Sequence, residues 1–132
     1  MTQVLDTHAV IAYLEKEPGY EKVRDALARG AETGQNLLMT SVNWGEVFYT
    51  TLRERGETEA EQVLRLLETF PIEVVAVDRP IAKQAGRYKA GGKISYADCF
   101  AAALAKLHHA ELLTGDKEFK QVEGDIKIRW ID

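Results

Sequence analysis

The chain has 132 residues and a mass of 14.8 kDa, so we expect one domain over residues 1–132 that buries about two-thirds of its unfolded surface. Hydrophobic residues make up 45% and charged residues 29%, and no apolar run reaches the roughly 20 residues that cross a bilayer, which excludes a membrane protein and predicts a soluble one. The formal net charge is −4. The N-terminus lacks the pattern of a signal peptide, and the single cysteine excludes an internal disulfide, so we expect a cytoplasmic location.

The first predicted strand leads directly into a helix. Consecutive apolar residues predict a strand at 3–6 that is covered on both faces, and apolar residues then recur at helical spacing over 10–14. Either Asp6 or Thr7 is expected to be the N-cap. Asp is a preferred cap, but ligands of open parallel sheets also bind at the carboxyl ends of the strands. Asp6 is therefore a candidate for both roles.

Next, the chain alternates between helix and strand patterns. We predict a helix that begins at Tyr20 and stops near Gly30, and a second buried strand over 36–40. Ser41 is expected to cap the following helix, which carries Glu46 on its second turn and on a partly buried flank. A solvated glutamate, or an ion pair with Arg53, is the plain alternative for that side chain.

A long helix and a third strand follow. Thr58 and Glu61 have the spacing of a capping box, which predicts the start of the helix, and Pro71 closes it. The β-branched residues of 72–77 predict a strand, and Asp78 is expected to cap the helix after it.

The most informative helix is predicted over 94–107. Ser95 and Asp98 form a capping box with Asp in place of Glu, and the alanine-rich run that follows favours a helix that packs closely on the sheet. A short strand at 111–114 then ends beside Asp116, just as the first strand ends at an acid.

The last elements are a short helix over 117–122 and a half-exposed strand over 126–131 with alternating apolar residues. Strands and helices alternate along the chain, which is typical of an α/β fold. We predict one domain with a central, mainly parallel, five-stranded sheet, right-handed crossovers and flanking helices.

Four acids lie at strand ends or early in the helices that follow, and these are Asp6, Glu46, Asp98 and Asp116. All four could meet at one edge of the sheet. Two carboxylates about 4 Å apart repel by roughly 4 kcal/mol at an effective dielectric near 20, so such a cluster must hold protons or a cation. Oxygen-only ligands favour Mg²⁺ or Mn²⁺. We assign His8 to the helix surface instead of the ligand set.

The segments around these acids resemble the motifs of PIN-domain ribonucleases, and the segments are Leu5-Asp6-Thr7, Ser41 to Glu46, Ser95-Tyr96-Ala97-Asp98 and Thr114-Gly115-Asp116-Lys117-Glu118-Phe119. The likeness covers essentially the whole chain and is greatest to VapC-like toxins of prokaryotic toxin–antitoxin pairs. It implies a PIN-like fold, metal-dependent hydrolysis of phosphodiester bonds in RNA, and a small cognate antitoxin.

The resemblance also assigns roles to residues. It implies that the four acids are catalytic, that Asp6, Asp98 and Asp116 bind Mg²⁺ or Mn²⁺, and that Glu46 orients water or helps to recruit a second ion. Thr114 matches the hydroxyl residue that precedes the last acid. The likeness and the apolar face of the early helices together predict a homodimer.

A net charge of −4 is unusual for a protein that binds a polyanion. Without the four proposed ligands, 17 of the 21 acids remain against 17 Lys and Arg, so RNA binding must be local. The candidates for phosphate contacts are Lys89, Lys93, Arg53 and Arg55. A basic run is more often a solvated face, which leaves that alternative open.

Other functions were weighed against the same residues. A haloacid-dehalogenase-type phosphohydrolase needs a second Asp two residues after the first, where this chain has His8. A non-catalytic interaction or regulatory module of the same fold remains the alternative, and metal binding distinguishes it from a nuclease. Trp44, Tyr49 and Tyr96 could stack on RNA bases or belong to the core, and we favour the core for Trp44.

Overall fold

The computed structural model describes residues 1–132 and contains a five-stranded sheet with helices on both faces. The strands are β1 (Gln3–Leu5), β2 (Leu37–Thr40), β3 (Ile72–Val75), β4 (Glu111–Thr114) and β5 (Lys127–Trp130). The helices are α1 (Thr7–Glu15), α2 (Tyr20–Thr33), α3 (Ser41–Arg55), α4 (Glu57–Glu68), α5 (Arg79–Ala90) and α6 (Tyr96–Leu107), with a 3₁₀ helix at Lys117–Val122. None of these helices combines the length and apolar composition that a bilayer crossing requires.

The sheet has the order β3-β2-β1-β4-β5, and every neighbouring pair of strands is parallel. The predicted α/β class and five-stranded sheet are confirmed, and the sheet is entirely parallel. Parallel strands require crossovers, which the helices supply. Because β1 lies at the centre and all strands run the same way, the segments that follow β1, β2 and β4 leave the sheet at one edge.

Both faces of the sheet are buried at the three central strands, β2, β1 and β4, which explains their continuous apolar runs. On one face, Val4 and Leu112 pack in a cluster with the alanine-rich side of α6 and with α5. On the other face, Leu5 and Leu113 pack in a cluster with α1 and α2. Each fully buried leucine stabilises the fold by about 1.5–3 kcal/mol.

The end of α2 differs from its prediction. The helix continues past Gly30 to Thr33 and ends at Gly34, which adopts a left-handed conformation with φ 73°. A Cβ atom on Gly30 would lie 2.9 Å from the carbonyl oxygen of Gln35 and from a methyl group of Leu37. This glycine therefore allows the helix to pack closely against the segment that follows it, and it does not end the helix.

Two helix starts also differ from prediction. The N-cap of α3 is Thr40 and not Ser41, because the Thr40 hydroxyl accepts the N–H of Asn43 at 3.0 Å. The capping box at Thr58 does not form, since α4 begins one residue earlier and Gly56 holds the cap position without a side-chain bond. The predicted caps Asp6, Asp78 and Ser95 are confirmed. Four of the five strands are one or two residues shorter than predicted.

Candidate active site

Asp6 is the most buried acid of the predicted cluster, with 0% of its surface exposed. It follows β1 and caps α1, so one carboxylate oxygen accepts the Ala9 N–H at 2.8 Å. The other oxygen accepts the Thr114 hydroxyl at 2.6 Å. Burial raises the pKa of Asp6 to about 7, although both hydrogen bonds favour the charged form; the negative charges of Asp116 and Glu46 add to the rise.

Asp116 enters the site from the neighbouring strand. It follows β4, is half-buried and caps the 3₁₀ helix by accepting the Glu118 N–H at 2.9 Å. Its own N–H donates to the Thr114 hydroxyl oxygen at 3.0 Å. Thr114, which is fully buried, thus contacts both strand-end acids. The supporting role that the sequence analysis gave to Thr114 stays a prediction.

Asp98 lies on the first turn of α6 and is only 7% exposed. Burial raises its pKa to about 8, and the charges of Asp116 and Asp6 act in the same direction. Its N–H donates to the Ser95 hydroxyl at 3.4 Å, which is the expected half of a capping box. The return bond is different, because the Ser95 N–H donates to Glu118 at 2.9 Å and not to Asp98.

Glu46 is half-buried on α3, as predicted from its position on the helix. Its carboxylate accepts the Tyr49 hydroxyl at 3.3 Å, and the Glu46 charge is the main reason that the pKa of Tyr49 is raised. No ion pair joins Glu46 to Arg53, whose guanidinium lies over the Tyr49 ring at 5.2 Å from its centroid. Glu46 lies outside the group of close carboxylate oxygens formed by Asp98, Asp116 and Glu118, and its charge is the last of the causes that raise the pKa of Asp6.

Oxygen atoms of three acids come close enough to share a cation. One carboxylate oxygen each from Asp98, Asp116 and Glu118 lies within 4.8 Å of the other two. Asp6 lies outside this group of three, but the Thr114 hydroxyl bonds to both its carboxylate and the Asp116 N–H. Carboxylate oxygens fit a hard divalent ion such as Mg²⁺ or Mn²⁺, whose positive charge would offset the mutual repulsion that adds to the burial-driven rise of the pKa values of Asp6 and Asp98.

Asn43 was missed by the sequence analysis, although it connects three of the elements that form the site. It is fully buried, and its side-chain oxygen accepts the Thr40 hydroxyl at 2.6 Å. Its amide donates to the Thr7 hydroxyl at 3.3 Å and to the Ala97 carbonyl at 3.2 Å. With Thr40 as the N-cap, Asn43 is the third residue of the helix, which is the position that pairs with the cap in a capping box. This spacing is the sequence signal that could have identified Asn43.

The sequence analysis placed His8 on the helix surface. In the structure it is half-buried against the loop that carries Asp116. Its Nδ1 accepts the Gly115 N–H at 3.3 Å. A Cβ atom on Gly115 would come within 2.6 Å of the imidazole, so a larger residue there would require the His8 ring to move. The histidine contacts the backbone of the loop and lies outside the oxygen cluster.

The four candidate RNA contacts lie in different surroundings. Arg55 is ion-paired with Glu15 at 2.6 Å and lies 3.7 Å from Glu59, and Lys89 donates to the Ile94 carbonyl at 2.9 Å. Arg53 and Lys93 are exposed. All four remain predictions, and Arg55 is the one whose charge is already balanced within the chain.

The family comparisons agree on one group of proteins. The model of the PIN domain matches residues 4–125 of the chain. Ribonuclease VapC30 of Mycobacterium tuberculosis is 29% identical over 129 residues, which cover 91% of this chain and 94% of that protein. Ribonuclease VapC of Mycolicibacterium smegmatis is 29% identical over 126 residues, with 89% and 93% covered.

Solved structures share the fold over nearly the whole chain. VapBC2 from Rickettsia felis, bound to a DNA fragment from its promoter, gives a TM-score of 0.77 at 18% identity and covers 98% of both chains. VapC20 from Mycobacterium tuberculosis, described as a Sarcin–Ricin loop cleaving toxin, gives 0.67 at 17% identity, with 97% of this chain and 99% of that chain covered. These structures confirm the predicted fold.

Proposed function

This chain belongs to the PIN-domain family, and from that premise we propose that it is a divalent-metal-dependent endoribonuclease and the toxin of a toxin–antitoxin pair. The observation that carries the proposal is the meeting of buried Asp6 and Asp98 with Asp116 at one edge of the sheet. Helix capping alone does not require the acids to meet, and burying them together raises their pKa values. A bound cation supplies the missing favourable interaction.

The chain's own groups would hold the ion and orient it. Asp98 and Asp116 present oxygens close enough to share one cation, and Asp6 is fixed in its rotamer by bonds to both of its oxygens. Thr114 orients Asp6 and the backbone of Asp116 at once. The nuclease domain would span residues 1–132, and Mg²⁺ or Mn²⁺ is the ion that these hard oxygen donors select.

The reaction would be hydrolysis of a phosphodiester bond. When bound, a divalent cation lowers the pKa of water and offsets negative charge on the attacked phosphate. Glu46 is free to orient the attacking water through the carboxylate oxygen that Tyr49 does not contact. Because the pKa values of Asp6 and Asp98 are about 7 and about 8, both acids must lose their protons before they bind the ion.

RNA is the proposed substrate because the curated relatives carry the name ribonuclease. Exposed Arg53 and Lys93 are candidates for contacts with its phosphates, and their contribution should weaken as salt rises. An antitoxin is the proposed partner, since the solved structures that share the fold include VapBC assemblies. A homodimer is also proposed.

The nuclease proposal is tested with RNA and DNA of the same sequence, incubated with Mg²⁺, with Mn²⁺ and with EDTA. We expect cleavage of RNA only when a divalent ion is present, and a loss of orders of magnitude in the Asp98→Asn variant. Cleavage at full rate in EDTA would reject the metal mechanism. Cleavage of neither nucleic acid with any divalent ion would favour a non-catalytic module.

A further inference from the structure

The acids of the site are joined by a chain of hydrogen bonds that runs from the end of β1 through β4 and the 3₁₀ helix to the start of α6. From Asp6 it passes to the Thr114 hydroxyl at 2.6 Å and to the Asp116 N–H at 3.0 Å. From the Asp116 carboxylate it continues to the Glu118 N–H at 2.9 Å. The Glu118 carboxylate then accepts the Ser95 N–H at 2.9 Å, at the start of the helix that carries Asp98.

The bond between Glu118 and Ser95 is the step of this chain that crosses from the 3₁₀ helix to α6. It joins residues that are 23 positions apart, and it satisfies the N–H of the α6 N-cap residue, which the helix itself leaves without a partner. Asp98 lies three residues later on the same turn. The Glu118–Ser95 bond is therefore one restraint on the distance between Asp98 and Asp116, whose side chains also lie within hydrogen-bonding reach of each other.

That distance needs a restraint when both acids are charged, because the two carboxylates then repel each other. The charge of Asp116 is the second cause, after burial, of the raised pKa of Asp98. Repulsion between the two carboxylates tends to move α6 away from the 3₁₀ helix. The Glu118–Ser95 bond opposes this movement on the side that faces β4.

A second bond holds α6 from the opposite side. The Asn43 amide donates to the Ala97 carbonyl at 3.2 Å, and Asn43 belongs to α3. Loss of the Glu118 bond would therefore leave the first turn of α6 attached to the protein. We expect Glu118 variants to fold and to differ in the position of Asp98.

We infer that Glu118 is a positioning residue: by accepting the Ser95 N–H it fixes the separation of Asp98 and Asp116, and it acts through this hydrogen bond and not as a ligand of the cation. The inference rests on the proposed metal-dependent function. A glutamine at position 118 keeps an oxygen that can accept the N–H but has no charge. A ligand role requires the carboxylate, so this one substitution separates the two roles.

The experiment compares Glu118→Gln, Glu118→Ala and the control Lys120→Ala, an exposed residue of the same 3₁₀ helix. Hydrogen exchange of the Ser95 amide is measured by NMR on the metal-free proteins. The amide should stay protected in the parent, the control and the Gln variant, and exchange faster in the Ala variant. Protection of Ser95 that is unchanged in Glu118→Ala would overturn the inference.

Binding of Mn²⁺ alone is measured by calorimetry on the same proteins. Loss of a residue that orients metal ligands weakens metal binding by about 10–100-fold, which we expect for Glu118→Ala, while Glu118→Gln should stay within about threefold of the parent. Equal losses in both variants would assign Glu118 to the metal ligands and overturn a positioning role.

RNA cleavage gives a third measurement. We expect Glu118→Ala to lower kcat with little change in KM, and Glu118→Gln to restore most of kcat. A parent protein that cleaves no RNA would reject the proposed function, whereas Ser95 exchange and Mn²⁺ binding would still decide the role of Glu118.

Discussion

The Thr114 hydroxyl donates a 2.6 Å hydrogen bond to the Asp6 carboxylate, and it thereby joins the ends of two parallel neighbours, β4 and β1. The same hydroxyl oxygen accepts the Asp116 N–H at 3.0 Å. One hydroxyl can donate and accept at the same time, which a methyl group cannot do. Thr114 thus fixes the orientation of one acid and the backbone of another.

The first prediction concerns Thr114→Val, which keeps the shape of the side chain and removes the hydroxyl. The pKa of Asp6 should rise, because the bond from Thr114 lowers it, and the Asp116 N–H loses its partner. Leaving such groups unpaired costs about 1–3 kcal/mol of stability. We expect at least a tenfold loss of RNA cleavage, roughly the effect of losing one orienting residue.

Thr114→Ser is the matched control, since it retains the hydroxyl. It should keep activity within about threefold of the parent, while the valine variant falls below it by about tenfold or more. Thermal unfolding and cleavage rates are measured on the same preparations. Equal activity of the valine and serine variants would contradict the orienting role of the hydroxyl.

The second prediction compares Asp98→Asn with Asp78→Asn. Asp78 is an exposed N-cap that accepts the Ile81 N–H at 3.0 Å. It therefore serves as a control, an aspartate that caps a helix but does not belong to the acidic cluster. Asp98→Asn should lower the rate of RNA cleavage by orders of magnitude because it removes a charged oxygen donor. It should also raise the melting temperature of the metal-free protein above pH 8, where Asp98 carries a buried charge that its neighbours repel.

Asp78→Asn should leave cleavage unchanged and shift the free energy of unfolding by at most about 1 kcal/mol, as for a change of helix cap. Melting temperatures without metal and cleavage with metal are measured for both variants. An Asp98→Asn protein that is less stable than the parent and nearly as active would return Asp98 to the role of a helix cap.

Sequence patterns predicted the positions of those acids whose placement depends on local structure. Asp6 and Asp116 each follow a short apolar strand, and strand ends of a parallel sheet share an edge, so their meeting could be inferred before any coordinates. Asp98 could be placed on the first turn of its helix by the Ser95 cap. Its position early in a helix also allowed it to meet the other acids at that edge, and the resemblance to a family then assigned the roles of the acids.

Bonds between distant segments could not be predicted in this way. The Glu118–Ser95 bond spans 23 residues and the Asn43–Ala97 bond spans 54, and neither has a spacing rule. A capping box predicted that Asp98 would take the Ser95 N–H, but a carboxylate from another element takes it instead. Tertiary packing decides between such competing acceptors, and a local pattern cannot include it.

The third prediction is that the protein is a homodimer. Leu66 of α4 is 45% exposed, and it lines a hollow with the side chains of Tyr13, Leu14 and Phe70, which Lys16, Tyr20 and Arg24 also line. Exposed apolar surface of this kind favours association. Light scattering at micromolar concentrations should give a mass near twice the 14.8 kDa of one chain. Leu66→Glu should lower that mass if α4 is at the interface, whereas a mass near that of one chain for the parent would reject the dimer.

The last prediction concerns the pH dependence of stability without metal. The pKa values of Asp6 and Asp98 are about 7 and about 8 in the folded protein, against 3.8 for an ordinary aspartate. Between those values the folded state binds more protons than the unfolded state, so the free energy of unfolding falls as pH rises. The contribution of these acids is complete below pH 3.8 and is lost as pH rises through 7 and 8.

The metal-free protein should therefore melt at a lower temperature near pH 8.5 than near pH 5.5. Each pKa unit corresponds to about 1.4 kcal/mol, and 1 kcal/mol shifts the melting temperature of a domain of this size by about 3–6 °C. Scanning calorimetry in EDTA measures the difference. It should be smaller in Asp98→Asn, which lacks one of the two acids, and Mg²⁺ should restore more stability at the higher pH, where both acids are charged. A metal-free parent that is equally stable at the two pH values, or more stable at the higher one, would show that burial does not hold protons on these carboxylates.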